Sequence, residues 1–316
     1  MRANSFATDY GKIRTKGGGG VIYRNARLQI EEGGRESVPG CESDFPYAAI
    51  AHRMDNFVGR QVPWHWHEAF EFVIVEKGAL EYATRAGAFV MHPGDGCLIN
   101  AGALHRCNAH GGAPGVEYTV QQFGREAIAG PGWVQRRCVA PVAGCAALEH
   151  MLFPGESASG REIVAQMQAA FDAARQEMEA FELEICARLA WAWRRISALA
   201  RPAVSGEAQP RPESARVKRM LAFMRDHYDQ ELSLAKIAAA AGVCAREATR
   251  CFRRELNATP AAYLAQMRVR KAAQLLRETD RTVTDIALSC GFSTPGYFGK
   301  VFRRHMNASP LQYRKG

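Results

Sequence analysis

A repeat of about fifty residues in the last third of the chain constrains the fold more than any other feature. LSLAKIAAAAGVCAREATRCFRRELNATPAAY, residues 232–263, returns as TVTDIALSCGFSTPGYFGKVFRRHMNASPLQY, residues 282–313. Ile237, Ala238 and Gly242 correspond to Ile286, Ala287 and Gly291. Phe252, Arg253, Arg254, Asn257, Pro260 and Tyr263 correspond to Phe302, Arg303, Arg304, Asn307, Pro310 and Tyr313. One residue is inserted in the second copy between the glycine and the phenylalanine. Apolar, glycine and proline positions kept at matched spacing require one supersecondary unit built twice.

Each copy reads as helix, tight turn, helix. Ser233 and Thr282 are N-cap residues, and Asp285, three positions after Thr282, suits the positive end of the helix that starts there. Gly242 and Gly291 supply the backbone torsions of the turn. Phe252 and Phe302 anchor a second helix whose outer face carries arginine or lysine, a form that fits a DNA major groove. Thr259-Pro260 and Ser309-Pro310 start a further helix after each unit. The helix from Pro260 to about Arg277 would then join the two units. Charge follows the same division. Residues 213–316 hold 19 Lys and Arg against 9 Asp and Glu, whereas the rest of the chain carries 22 against 23. Concentrated positive charge suits a polyanion, because neutralised phosphates release condensed counterions.

The segment RPAVSGEAQPRPESAR, residues 201–216, has three prolines and no apolar period, and reads as a linker. Before it the pattern changes character. Between Phe45 and Phe123, short β-like runs alternate with turn residues, as in an antiparallel sandwich or barrel. From Arg161 to Ala200 two helices are expected, with Val164, Met167 and Phe171 on one stripe and Phe181, Ile185, Leu189 and Ile196 on another. These stripes fit either the barrel or a second subunit. Residues 1–20 lack a secretory apolar run and end in four glycines, so a disordered leader and a cytoplasmic location are expected. No apolar stretch is long enough for a membrane helix, and the nine scattered cysteines form no C-x-x-C pair, which suits a reducing compartment.

Gly59, His65, His67, Glu71 and Gly78 have the spacing G-x5-H-x-H-x3-E-x6-G. On one continuous strand His65, His67 and Glu71 share a face, with Trp64, Trp66, Phe70 and Phe72 on the other. With His105 from a neighbouring strand, they could hold a divalent transition metal with positions left open for a ligand. They could equally form a polar effector pocket, or a hydrogen-bonded structural cluster, with no cofactor required. Both readings stand at this point.

The residues 232–314 resemble the AraC-type transcription regulators, most specifically over DIALSCGFSTPGYFGKVFRRHMNASPLQYR. The spacing around His65 resembles the first motif of the cupin β-barrel superfamily, while Gly87, Pro93, Gly94 and His105 match the second motif only in part. Together these resemblances imply an α+β chain. Residues 21–160 would form a cupin-like antiparallel β-barrel that senses an effector, 161–200 a helical dimerisation segment, 201–215 a linker, and 216–316 an all-α double helix-turn-helix domain. The AraC resemblance implies base-facing Arg246, Thr249 and Arg250 on the first recognition helix and Thr294, Gly296 and Lys300 on the second, with Arg253, Arg254, Arg303 and Arg304 toward phosphate. Cys244 stands where the family usually has a serine or threonine cap. The implied partners are promoter DNA, a small-molecule effector, a second copy of the chain and RNA polymerase, with no membrane. The alternative is a metal-dependent cupin enzyme, a dioxygenase or isomerase, with an accessory DNA-binding domain.

Overall fold

The computed structural model describes residues 22–24, 29–30, 36–37, 45–176, 179–205 and 212–315. The expected leader, Cys41 and most of the linker's middle lie outside the described residues. The chain divides at Pro210/Arg211 into two compact units.

The first unit begins with β1 (Ile22–Arg24), β2 (Gln29–Ile30) and β3 (Glu36–Ser37), followed by β4 (Tyr47–Arg53), β5 (Gln61–His65), β6 (Phe70–Lys77), β7 (Leu80–Thr84), β8 (Gly87–Met91), β9 (Gly96–Ile99), β10 (His105–Ala109) and β11 (Glu117–Phe123). Two short helices, α1 (Arg125–Ile128) and α2 (Ala140–Ala143), precede β12 (His150–Phe153), α3 (Ala158–Gln176) and α4 (Phe181–Val204). One sheet runs β1-β4-β11-β6-β9-β12 and a second runs β5-β10-β7-β8, while β2 and β3 form a separate pair. Neighbours are antiparallel except β1 with β4.

Side-chain alternation divides the larger sheet into two apolar faces. Ile50, Val73, Val75, Ile99, Tyr118 and Val120 face the smaller sheet, joined by Val62, Leu80, Tyr82, Met91 and Cys107. Phe70, Phe72, Ile74, Leu98 and Phe123 on the opposite face pack with Ile163, Met167 and Phe171 of α3 and Ile185, Leu189, Trp193 and Ile196 of α4. Both helical stripes are therefore used within this unit, and Ile163 rather than the half-buried Val164 is the fully buried member of the first. Helix α3 lies so close to β9 that a Cβ at Gly96 would stand 2.7 Å from Val164 Cγ2. Glycine is needed there because nothing larger fits.

The linker expected at 201–215 is shorter than its composition indicates. Helix α4 continues through Pro202 to Val204, and the next helix already begins at Pro212. A proline in the final turn removes only one N–H from a ladder that is about to end, so it terminates the helix without preventing that turn.

The second unit is all helix: α5 (Pro212–Asp226), α6 (Leu234–Ala240), α7 (Ala245–Leu256), α8 (Pro260–Glu278), α9 (Val283–Ser289), α10 (Pro295–Met306) and α11 (Pro310–Lys315). The repeat is visible in its joints. Gly242 and Gly291 have φ of 66° and 80°, and Asn257 and Asn307 end α7 and α10 in the left-handed region at 50° and 54°. Asparagine tolerates that conformation better than most residues, which explains its recurrence in both copies. Phe252, Phe298 and Phe302 are fully buried, and α8 packs against helices of both copies. Among the described residues no helix is long and apolar enough to cross a membrane.

Candidate functional site

His65, His67, Glu71 and His105 converge, with one ligand atom from each lying within 4.8 Å of all the others. They do not do so along one strand. His65 ends β5 in the smaller sheet, His67 lies in the 66–69 connection, and Glu71 is the second residue of β6 in the larger sheet. Contrary to the single continuous strand expected, the chain changes sheets between His65 and Glu71, and the space between two packed sheets replaces the single face. His105 reaches the same space from β10, where it pairs directly with His65 and Thr84. Phe70 and Phe72, expected opposite Glu71, do point away from it, toward the helices.

The orientation of the imidazoles follows from three backbone carbonyls. Nδ1 of His65 lies 2.8 Å from the Pro63 carbonyl, that of His67 2.8 Å from Ala69, and that of His105 2.9 Å from Ala103. A carbonyl only accepts, so each Nδ1 carries hydrogen and each neutral ring turns the lone pair of Nε2 inward. Nε2 of His67 is 3.3 Å and that of His105 3.7 Å from the Glu71 carboxylate. Glu71 also accepts from Tyr82 Oη–H and Gln122 Nε2–H, each at 2.9 Å.

All of these groups are buried. Burial alone would raise the Glu71 pKa, but the histidines His105, His67 and His65 bring it below the usual carboxylate range. Burial opposes a charge on His67, yet its bond to Glu71 and the charges of Glu71 and Glu36 leave its pKa raised. His65 is held well below the ordinary histidine value, first by burial and then by His105. Three imidazole nitrogens and a carboxylate, each ring oriented through its second nitrogen, suit a divalent transition metal. An ion with bonds of roughly 2 Å would draw these donors together by modest side-chain movement.

Sequence reasoning missed Glu36, Tyr82 and Gln122. Gln122 pairs with Glu71 across β11 and β6, and its Nε2 also donates to Glu36 Oε2 at 2.9 Å. Burial pushes the Glu36 pKa up to about 7. Strand pairing could not have been read from spacing alone, because these three residues come from three separate elements.

The expected DNA-facing residues occupy unequal settings. Arg246, Arg253, Lys300, Arg303 and Arg304 are exposed and make no ion pair among the described residues. Arg250 is held by Glu247 through Nε at 2.9 Å and Nη2 at 2.7 Å, and Arg254 donates to Glu213 at 3.2 Å. Thr249 turns its hydroxyl back to the Ala245 carbonyl. Thr294 is the N-cap of α10 and accepts from the Tyr297 N–H at 3.2 Å. It corresponds to Cys244, which makes no side-chain cap bond at the start of α7. Gly299, not Thr294, therefore occupies the position of Thr249, and Gly296 that of Arg246. Tyr297, equivalent to Glu247, is 53% exposed beside them and was not singled out from sequence.

Comparison with known proteins agrees with both halves. Residues 48–192 match the model of the AraC-like ligand binding domain, and residues 218–316 match a helix-turn-helix domain model. The chain is 25% identical over 277 residues to the HTH-type transcriptional regulator YdeC of Bacillus subtilis, covering 86% of this chain and 92% of that protein. It is 38% identical over 102 residues to the HTH-type transcriptional activator RhaS of Klebsiella pneumoniae, covering 32% of this chain and only 37% of RhaS. A solved AraC-type regulator from Chromobacterium violaceum is 31% identical and covers 32% of this chain and 90% of that chain, with a TM-score of 0.31. The chain belongs to the AraC-type transcription regulators, with an AraC-like ligand-binding domain followed by a DNA-binding helix-turn-helix domain.

Proposed function

We propose that the His65, His67, Glu71 and His105 centre is the sensing site of this regulator and that it works by holding a divalent transition metal to which a small-molecule effector is presented. The observation that carries this reading is the set of three carbonyl-bound Nδ1 atoms, which leaves the Nε2 atoms of His67 and His105 turned toward Glu71 and that of His65 toward Glu36, with one ligand atom of each histidine within 4.8 Å of Glu71. The metal would supply Lewis acidity and open coordination positions. The protein's own residues orient the donors and exclude water. Coupled to a DNA-reading domain, the centre is read as a binding site rather than a site of turnover.

In the same reading, Arg246 and Arg250 of α7 carry most of the base recognition, since arginine can bond guanine through two nitrogens. Arg250 must exchange Glu247 for its base. Helix α10 offers Gly296, Gly299, Tyr297 and Lys300 and reads less through hydrogen bonds, while Arg253, Arg254, Arg303 and Arg304 position the domain on phosphate. The α3 and α4 stripes are used internally, so a homodimer would use the outer surface of α4, where Leu183 and Leu199 are exposed. Promoter DNA is the macromolecular partner, with RNA polymerase contacted from the bound state.

The test is binding of the full-length protein to genome-derived DNA fragments after chelation and after return of zinc, cobalt or manganese. About one equivalent of metal per chain and a metal-dependent change in specific, but not non-specific, affinity are expected. His67→Ala should remove that response. Specific binding indifferent to chelation, with no metal bound at near-stoichiometric amounts, would overturn the sensing proposal and leave the DNA-reading one standing.

A further inference from the structure

Glu36 reaches the same centre from outside both main sheets. Its strand, β3, pairs with β2, and its backbone N–H donates to the Trp66 carbonyl at 2.7 Å, next to His65 and His67. The side chain then turns inward, leaving the residue 8% exposed. Its Oε2 stands 3.7 Å from His65 Nε2 and accepts from Gln122 Nε2 at 2.9 Å. That amide also donates to Glu71 at 2.9 Å, so one NH2 group spans two buried carboxylates.

The bridging amide carries no charge, so only the neighbouring imidazoles or a bound cation can offset the two buried carboxylates. A divalent cation beside three neutral imidazoles balances both carboxylates at once. The 3.7 Å separation between Glu36 Oε2 and His65 Nε2 suits neighbouring donors on one ion with bonds of roughly 2 Å, but Glu36 stands outside the four whose ligand atoms all lie within 4.8 Å of one another, so it would join them by moving inward with its strand. We propose that Glu36 is a fifth metal donor, delivered by the N-terminal strand β3, so that metal binding and the seating of that strand are one event. This rests on the metal reading of the centre given above. The competing explanation is a neutral, structural Glu36 that serves only Gln122.

Glu36→Gln separates the two, because glutamine reproduces the shape and hydrogen bonding of a protonated glutamic acid but is a much poorer metal donor. Full-length wild-type and variant proteins are titrated with Co2+, with affinity and visible absorption recorded together. Loss of a donor should weaken Co2+ roughly ten- to a hundredfold, as metal-site perturbations commonly do. It should also intensify the visible bands as coordination number falls. In wild type, Co2+ should slow hydrogen exchange at the Glu36 amide, and in Glu36→Gln it should not.

Glu36→Ala provides the second variant, since acetate can enter the vacated space. Acetate restoring the wild-type spectrum supports the donor role, and no effect of acetate counts against it. Equal Co2+ affinity and spectra in wild type and Glu36→Gln overturn the Glu36 proposal while leaving the four-residue centre intact. No Co2+ binding by wild type overturns both.

Discussion

Gly299 is the fifth residue of α10, and a Cβ built there meets no atom within 4 Å. Glycine in a helix interior costs about 1 kcal/mol relative to alanine, chiefly through backbone entropy. Nothing within the protein offsets that cost by close packing. Gly299→Ala should therefore stabilise the helical unit by about 1 kcal/mol, a rise of roughly 4–8 °C in Tm for a domain of about 100 residues. Gly296, also open at Cβ but second in the helix, should give a smaller gain.

The measurement can be made on the intact chain. All five tryptophans, Trp64, Trp66, Trp133, Trp191 and Trp193, lie in the first unit, so their fluorescence reports that unit while circular dichroism at 222 nm includes the helical one. The dichroism transition of the second unit should move up and the fluorescence transition should not. If α10 enters the major groove along this face, the added methyl meets DNA instead of open space, and specific affinity falls about tenfold, near 1.4 kcal/mol. A lower melting temperature would refute the account of helix energetics. Unchanged specific affinity would refute the placement of this face against bases.

Cys244→Ser supplies the N-cap acceptor that α7 lacks and should stabilise the same unit by about 1 kcal/mol; urea unfolding followed by dichroism measures it. Two turn glycines should respond unequally. Gly242→Ala meets only torsional strain and should cost about 1 kcal/mol, whereas an alanine Cβ at Gly291 would collide with the Tyr228 carbonyl oxygen and should cost several times as much in the same assay. Burial lowers the pKa of His52 from 6.5 to about 4. The folded state then binds fewer protons than the unfolded state across that interval, so stability present above pH 6.5 is lost as pH falls toward 4, by about 3 kcal/mol at most. The stability difference between wild type and His52→Phe should shift by that amount over the interval, and a pH-independent difference would refute it.

The second unit was legible because its information is local. Caps at Ser233, Thr259 and Thr282, glycines at the turns and the phenylalanine anchors all act within a few residues of their own position. Thr294, expected toward bases, also caps α10 through the Tyr297 N–H, a role its place before Pro295 carries locally. The buried histidine and glutamate centre was legible only in its membership. His65, His67, Glu71 and His105 could be chosen by spacing, but the chain's passage between sheets and the arrival of Glu36, Gln122 and Tyr82 depend on strand pairings distant in sequence. The helical stripes of α3 and α4 could be drawn from their period, while their choice of the sheet as partner required the three-dimensional fold.

The three rings of His65, His67 and His105 are aimed by main-chain oxygens of Pro63, Ala69 and Ala103. A side-chain substitution at those positions leaves the oxygen in place, so sequence drift there can proceed without turning a ring around. Donors themselves can be gained or lost one at a time, by changing His65, His67, His105 or Glu71, while the remaining rings keep their aim. The aim of each ring is thus fixed by the path of the main chain, and the chemistry of the centre by which side chains stand on it.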